Sequence, residues 1–389
     1  MENLRHLFTP EAVKLACILT THEISMRLVG GAVRDALMGL DPKDLDFAVD
    51  APPEKVMDVL ESEGIKVVPT GLKHGTITAV VKGIPHELTT LRVDVKTDGR
   101  RAQVAWTDDW KVDAARRDLT INAMSVDVAG NLHDFFGGQK DLKNKVVRFI
   151  GNAEQRIIED HLRILRFFRF KQHVGSTNTD SEAFNAIRKH ADSLKNISGE
   201  RIWSEMSRIL PGKLSGHVLT LMGMTGVMDA IGIENFHNLK PSLVDGFTKN
   251  PITLLVSGID WTKWEPIRST LVDRWKVSIE ERQLFDFLVR NFKILDSEHH
   301  FPFLQVLATT PKVKRVWVEE MATLFQRPDL VQQFKEWPTP KFPVTGQNLL
   351  DTGMKPGPAI GTRMNLMHQA WVSSGFMMDK EELLKVPTN

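Results

Sequence analysis

Residues 30–46 read Gly30-Gly31-Ala32-Val33-Arg34-Asp35-Ala36-Leu37-Met38-Gly39-Leu40-Asp41-Pro42-Lys43-Asp44-Leu45-Asp46. Upstream, Met26-Arg27-Leu28-Val29 has the apolar, β-branched character of a short strand, and Ala32 to Met38 has that of a helix. Gly30 and Gly31 therefore fall at a strand-to-helix turn. With no Cβ there, backbone N–H groups can come close to an anion, and the start of the next helix adds its positive end. Arg34 offers a charge-assisted donor. Leu45 to Val49 reads as the next strand, and two residues apart on a strand Asp44 and Asp46 point to one face. Paired carboxylates suit Mg²⁺, which takes a few hard oxygens and completes its shell with substrate phosphates. Two such ions could activate an attacking hydroxyl and hold a pyrophosphate leaving group. A Gly-Gly turn or an Asp-x-Asp alone is commonplace; in this order they are specific.

Outward from this stretch, Thr76 to Val81 and His86 to Leu91 are further strands, joined by a hairpin-like turn at Gly83-Ile84-Pro85. From about Asp113 helical spacing dominates, over Arg116 to Met124, Arg156 to Phe170, Ser181 to Asn196 and Ser198 to Leu210, the last opened by a capping hydroxyl at Ser198. Loop breaks follow at Lys240-Pro241, Asn250-Pro251 and Pro338-Thr339-Pro340, and Gly353 to Gly361 is a Gly/Pro loop before a last helix. The pattern predicts an α/β head, a small mixed sheet with helices, followed by an elongated all-α neck, body and tail. The expected divisions are head 1–140, neck 141–212, body 213–335 and tail 336–389.

The chain's 389 residues carry 50 Lys+Arg against 49 Asp+Glu. This is no basic coat protein, so any nucleic-acid surface must come from local segregation of charge. Cys17 is the single cysteine, which excludes an internal disulfide and cysteine-built zinc sites. No apolar run is long enough to span a membrane. The start, Met1-Glu2-Asn3-Leu4-Arg5-His6, has no secretory apolar region and carries an early acid, which argues against an attached transit peptide. Nothing in the sequence explains the absence of tyrosine.

Two further segments carry chemistry. Arg116-Arg117-Asp118, at a helix start, can grip phosphate or ribose oxygens. In Glu159-Asp160-His161-Leu162-Arg163-Ile164-Leu165-Arg166-Phe167-Phe168-Arg169, helical spacing puts Asp160 and Arg163 on one face, with Arg166 and Arg169 continuing the edge. One reading is an ordinary i,i+3 ion pair. The other has more chemistry: a carboxylate acceptor beside a guanidinium donor fits a base edge with an amino group next to a ring-nitrogen acceptor. Cytosine and adenine present that edge; uracil and guanine put a carbonyl where the carboxylate needs a donor.

Together these motifs resemble those of the class II tRNA nucleotidyltransferases and poly(A) polymerases, over nearly the whole chain and most like the animal, mitochondrial-type CCA-adding members. Gly-Gly-x-Val-Arg-Asp with Asp-x-Asp is similar to that family's first motif, whose aspartates bind catalytic magnesium. The resemblance implies that Glu87 is an auxiliary carboxylate of the head, that Arg116, Arg117 and Asp118 handle the ribose, and that Asp160 and Arg163 serve as a template made of amino acids. Arg92 to Trp106, with Asp98-Gly99-Arg100, looks like the family's specificity-changing loop, and Ile197 to Leu210 like a helix bracing the nucleotide-reading one. The implied activity is template-independent addition of C, C and A to the 3′ end of tRNA from CTP and ATP, with Mg²⁺ as cofactor, in mitochondria and/or cytoplasm. A poly(A) polymerase or a partial enzyme adding only C or only A is the alternative. Thr70-Gly71-Leu72-Lys73-His74-Gly75-Thr76, where poly(A) polymerases carry a basic Gly-Arg-Arg-type stretch, favours CCA addition. A non-catalytic RNA-binding module has no need of Asp44 and Asp46, which would repel RNA without metal. Gly30-Gly31 lacks the Gly-x-Gly-x-x-Gly spacing of a dinucleotide fold.

Overall fold

The computed structural model describes residues 3–97, 102–178, 180–233, 248–259, 264–291 and 300–387. The first elements are α1 (Pro10–Thr21), β1 (Met26–Val29), α2 (Gly31–Leu37), β2 (Phe47–Val49), α3 (Pro53–Ser62), β3 (Lys66–Gly71), β4 (Thr76–Val81) and β5 (Ile84–Thr90). They are followed by β6 (Arg92–Thr97), β7 (Ala102–Trp106), α4 (Trp110–Ala115), β8 (Ser125–Asp127) and β9 (Leu132–His133). Seven strands form one sheet in the order β3-β4-β5-β2-β1-β8-β9, while β6 and β7 make a separate antiparallel ribbon. Only β2 and β5 run parallel within the sheet. A parallel pair needs a crossover, here the excursion through α3, β3 and β4.

Helix α1 starts where its residues dictate. Thr9 accepts the Ala12 N–H, and Pro10, with no N–H to satisfy, takes the first position. Its buried stripe of Ala12, Leu15, Ala16 and Leu19 recurs at helical spacing. Phe8 meets Phe47 of β2 with ring centroids 5.8 Å apart. Alternation along β2 turns Ala48 the other way, to a small cluster with Val29, Leu91 and Trp110. The turn between β4 and β5 is Lys82-Gly83, both with positive φ (50° and 83°). That is the twist a two-residue hairpin needs; Ile84 and Pro85, expected in the turn, already belong to β5.

The neck contains α5 (Gly138–Lys143), α6 (Ala153–Glu159), α7 (Arg163–His173), α8 (Ser181–His190) and α9 (Gly199–Ile209). Four expectations are corrected here. Arg116 to Met124 is not one helix: α4 ends at Ala115, the backbone of 118–120 bonds that of 148–150, and only a 3₁₀ turn over Thr120–Asn122 remains. Arg156 to Phe170 is two helices broken at Asp160, whose φ and ψ are extended (−155°, 105°) and whose carboxylate accepts the Leu162 N–H. Helix α8 tightens into a 3₁₀ turn over Ala191–Asn196. Ser198 is the N-cap residue of α9 by backbone position, but its side chain makes no cap hydrogen bond. Helix α7 buries Ile164, Leu165, Phe167 and Phe168, with Phe167 stacked on Phe149 at 5.3 Å and edge-on to Phe184 at 6.0 Å.

The chain divides into two compact units, Met1–Leu239 with Glu265–Val277, and Lys240–Trp264 with Ser278–Asn389. In the first, Trp275 is fully buried, stacks on Trp203 at 5.6 Å and donates to the Ile231 carbonyl at 2.9 Å. Gly199 lets this strap lie close, since a Cβ there would sit 1.5 Å from the Arg274 carbonyl oxygen. The second unit is helical among its described residues, and its last part packs Val344, Leu349, Met367, Trp371 and Leu383 into a core. No helix among the described residues is long and apolar enough to cross a membrane.

Candidate active site

The β1–α2 turn is built on Gly30, with φ +69°. Glycine is required twice over: that φ disfavours a side chain, and a Cβ would lie 2.8 Å from the Arg117 Nη1. The Gly30 turn and Arg117 of the paired-arginine segment, 87 residues apart in sequence, thus share one small space. Asp44 and Asp46 precede β2 rather than lie on it, so strand alternation does not order Asp44. Asp46 is fixed through its backbone, its carbonyl accepting the Val29 N–H at 2.9 Å. Both side chains are exposed, and neither takes part in a hydrogen bond or ion pair among the described residues.

Glu87 is exposed on β5. Strand β5 pairs in parallel with β2, Phe47 opposite Leu88, so Glu87 stands next to the residue that faces the start of β2. No group of three potential metal ligands forms among the described residues. Two free hard carboxylates do fit a divalent ion that draws its remaining ligands from water and a polyphosphate.

Arg34 corrects an expectation. It is buried and turned inward, donating through Nη1 to Asn122 Oδ1 at 2.6 Å and through Nε to Asp35 Oδ1 at 2.9 Å, its guanidinium 4.8 Å from the Phe170 ring centre. It therefore ties α2 to α7 and is not free to grip phosphate. Asp35 in turn bonds His173 at 2.7 Å. Burial works to raise the Asp35 pKa, but the His173 bond and Arg34 outweigh it and hold the carboxyl below its ordinary value.

Arg116 and Arg117 are half-buried and converge on one acid that the sequence reading passed over. Asp113, 4% exposed, receives Arg116 Nε at 2.8 Å and Arg117 Nη2 at 3.4 Å, and also accepts the Arg92 N–H at 3.2 Å. The signal was in the sequence, since Asp113 stands three and four residues before the two arginines. Asp118 is engaged inside the protein. It is buried, accepts from Arg166 Nε at 2.6 Å, Asn122 Nδ2 at 3.1 Å and the Leu119 N–H at 2.9 Å, and so holds the neck. Burial pushes its pKa up; the charge of Arg166 and these bonds prevail and keep it below the usual carboxylate range.

Asp160 and Arg163 are close in sequence, yet among the described residues they form no ion pair with each other. Asp160 Oδ2 takes Arg201 Nη2 of α9 at 2.7 Å, and Oδ1 takes the Leu162 N–H at 3.1 Å. Arg163 donates to Glu159 Oε2 at 2.6 Å and to the carbonyls of Arg156 at 3.0 Å and Arg116 at 3.1 Å. Arg156 donates to the Ala115 carbonyl at 3.0 Å. Two neck arginines thus grip the backbone that presents Arg116 and Arg117. Arg169 lies 2.9 Å from the buried Glu205 of α9 and 4.4 Å from the Phe170 ring centre. Burial chiefly, against the pull of Glu205, lowers its pKa to about 10, so it stays charged at neutral pH. Arg166 and Arg169 are spent on Asp118 and Glu205, which makes both of them structural ties in this state. Glu205 lies 36 residues beyond Arg169 and has no local sequence signal. Asp98-Gly99-Arg100 lies outside the described residues; the flanking 92–97 and 102–106 form the β6–β7 ribbon.

This head, with a glycine turn, paired carboxylates and an arginine-rich neck, defines a nucleotidyltransferase. Residues 26–148 match the family model described as "Poly A polymerase head domain", and residues 179–233 match "Probable RNA and SrmB- binding site of polymerase A". The chain is 40% identical to mouse CCA tRNA nucleotidyltransferase 1, mitochondrial, across 97% of this chain and 90% of the mouse protein. The human protein of the same name is 39% identical over the same shares. The crystal structure of the Bacillus stearothermophilus CCA-adding enzyme in complex with CTP superposes with a TM-score of 0.78 at 26% identity, covering 97% of this chain and 96% of that one. The chain belongs to the CCA tRNA nucleotidyltransferase family.

Proposed function

We infer that this chain completes the 3′ end of tRNA, adding C, C and A in turn from CTP and ATP and releasing pyrophosphate at each step. The observation that carries the reading is the extent of likeness to the mouse and human enzymes, 97% of this chain, together with two unpaired carboxylates beside the Gly30 turn. The family uses divalent metal ions; we assign Mg²⁺, with Asp44 and Asp46 as its protein ligands. When bound there, the metal supplies positive charge to polarise the reacting oxygens and the leaving pyrophosphate. We take Glu87 as an auxiliary carboxylate of the head.

The chain's own residues bind, orient and select. Gly31, at the first position of α2, offers its backbone N–H to a triphosphate, while the Gly30 N–H is bonded to the Met124 carbonyl at 3.2 Å. Arg116 and Arg117, held by Asp113, face the sugar and phosphates. Asp160 and Arg163 are anchored separately, which leaves the acceptor and the donor available to a base edge inserted between them. That arrangement supports reading of C and A without a nucleic-acid template. Arg34, Asp118 and Arg166 we place behind these groups, in the contacts that hold head to neck, and Arg169 in the pairing of α7 with α9 within the neck. The division into head 1–140, neck 141–212, body 213–335 and tail 336–389 is kept as a functional map, with the tail as a tRNA-binding part. Mouse and human relatives are named mitochondrial, and we carry that compartment over, with the cytoplasm as a second place of work.

The test is direct. Incubated with tRNA lacking its 3′ end, CTP, ATP and Mg²⁺, the protein should yield tRNA ending in CCA when the products are sequenced. Tails of adenosine would support a poly(A) polymerase, and products ending in CC a partial enzyme.

A further inference from the structure

The contact of Arg201 with Asp160 has a consequence for selectivity. The inference rests on the reading of Asp160 and Arg163 as the base-recognising pair. Asp160 sits between α6 and α7, three residues before Arg163, and the two opposite charges are near enough in sequence to pair. Paired with each other, Asp160 and Arg163 would offer a base neither the carboxylate acceptor nor the guanidinium donor. Each side chain is instead drawn off by other groups: Arg163 by Glu159 and the carbonyls of Arg156 and Arg116, and Asp160 by the Leu162 N–H and the Arg201 guanidinium at 2.7 Å.

Arg201 comes from α9, one turn before Glu205, which in turn holds Arg169 of α7. Neither Asp160 nor Arg201 is deeply sequestered: their side chains are 24% and 29% exposed. A nucleotide base can therefore approach the carboxylate while the guanidinium stays in place. A carboxylate has about four lone-pair sites. One goes to Arg201 and one to Leu162, and the others remain for an exocyclic amino group.

We propose that Arg201 is a specificity-determining positioning residue, which fixes the plane of the Asp160 carboxylate and keeps it from closing onto Arg163. Loss of Arg201 therefore acts on selectivity by misplacing the acceptor.

The experiment compares Arg201→Gln, Arg201→Lys, Asp160→Ala and the double variant Asp160→Ala/Arg201→Gln in the full chain. It reads the ratio of kcat/KM for CTP over UTP, the separate KM and kcat for CTP, and thermal melts. Arg201→Gln should narrow the ratio by about tenfold or more, the loss of one charge-assisted contact, chiefly through a raised KM for CTP. Arg201→Lys, keeping the charge, should recover most of it. In the double variant, Arg201→Gln should add nothing to the effect of Asp160→Ala, since the residue acts through Asp160. A folded Arg201→Gln protein with the wild-type ratio, alongside an Asp160→Ala protein whose ratio collapses, would overturn the role of Arg201 alone. An unchanged ratio in Asp160→Ala would instead remove the base-reading assignment on which it rests.

Discussion

Asp44 and Asp46 carry the least structural duty of the charged residues at the site. Both are exposed and unpaired among the described residues, so replacing either with alanine should leave the fold intact. Transfer of both CMP and AMP should fall by about a thousandfold or more, the loss of a metal-holding carboxylate. Single-turnover rates with trimmed tRNA check this, and wild-type turnover at saturating Mg²⁺ would remove the metal assignment. Asp113 is the reverse case, a buried acid that clamps Arg116 and Arg117. Asp113→Asn should free both guanidinium groups. The preference for CTP over its 2′-deoxy analogue should then narrow by about tenfold, the scale of one charge-assisted contact. Competition kinetics with the two nucleotides give the ratio; equal ratios in a folded variant would detach the paired arginines from the sugar.

Among the elements, α7 is the one that other parts lean on. Its Arg166 reaches Asp118, its Phe170 lies under Arg34, its His173 bonds Asp35, and its Arg169 meets Glu205 of α9. Removing one partner from a fully buried pair costs about 3–5 kcal/mol. Arg166 is one-third exposed, so Asp118→Asn should cost less, about 2–3 kcal/mol. The folded-state pKa of Asp118 lies below its ordinary value. Its contribution is therefore complete above the unfolded pKa of about 3.9 and is lost as pH falls through the lower folded value. The gap in denaturation midpoint between wild type and Asp118→Asn should be constant from pH 7 to 5 and shrink below about pH 4. A gap that widens in acid would contradict the assigned pairing.

For the whole molecule the question is when addition stops. A poly(A) polymerase and a CCA enzyme share the head, so the catalytic carboxylates cannot separate them. Given ATP alone and a tRNA already ending in two cytidines, this chain should add a single adenosine and largely stop. Gel resolution of the products decides it; long adenosine ladders on that tRNA or on unstructured RNA would favour the poly(A) reading. The likeness to the mouse and human enzymes runs through both compact units, not the head alone. That is why the expectation concerns the complete chain.

Motifs that depend on neighbours in sequence were legible without a structure. The Gly30 turn after β1, the mixed head and the helical remainder follow from local spacing and backbone permissiveness, whereas the strand expected from Leu45 starts only at Phe47 and leaves Asp44 and Asp46 ahead of it. What the folded chain alone decided is which charges are free. Sequence offers Arg34, Arg117, Asp118, Asp160, Arg163, Arg166 and Arg169 on equal terms. Tertiary packing buries Arg34 and Asp118 as ties, spends Arg166 and Arg169 on Asp118 and Glu205, and brings Arg117 over Gly30. It also broke the helix that periodicity predicted across Asp160. Periodicity records which faces are apolar, and a single extended residue between two apolar turns leaves that record unchanged. The partner of Asp160 lies 41 residues away on α9. No local pattern encodes such a pairing, because an ion pair is chosen by distance in space after the apolar faces of α7 and α9 have met.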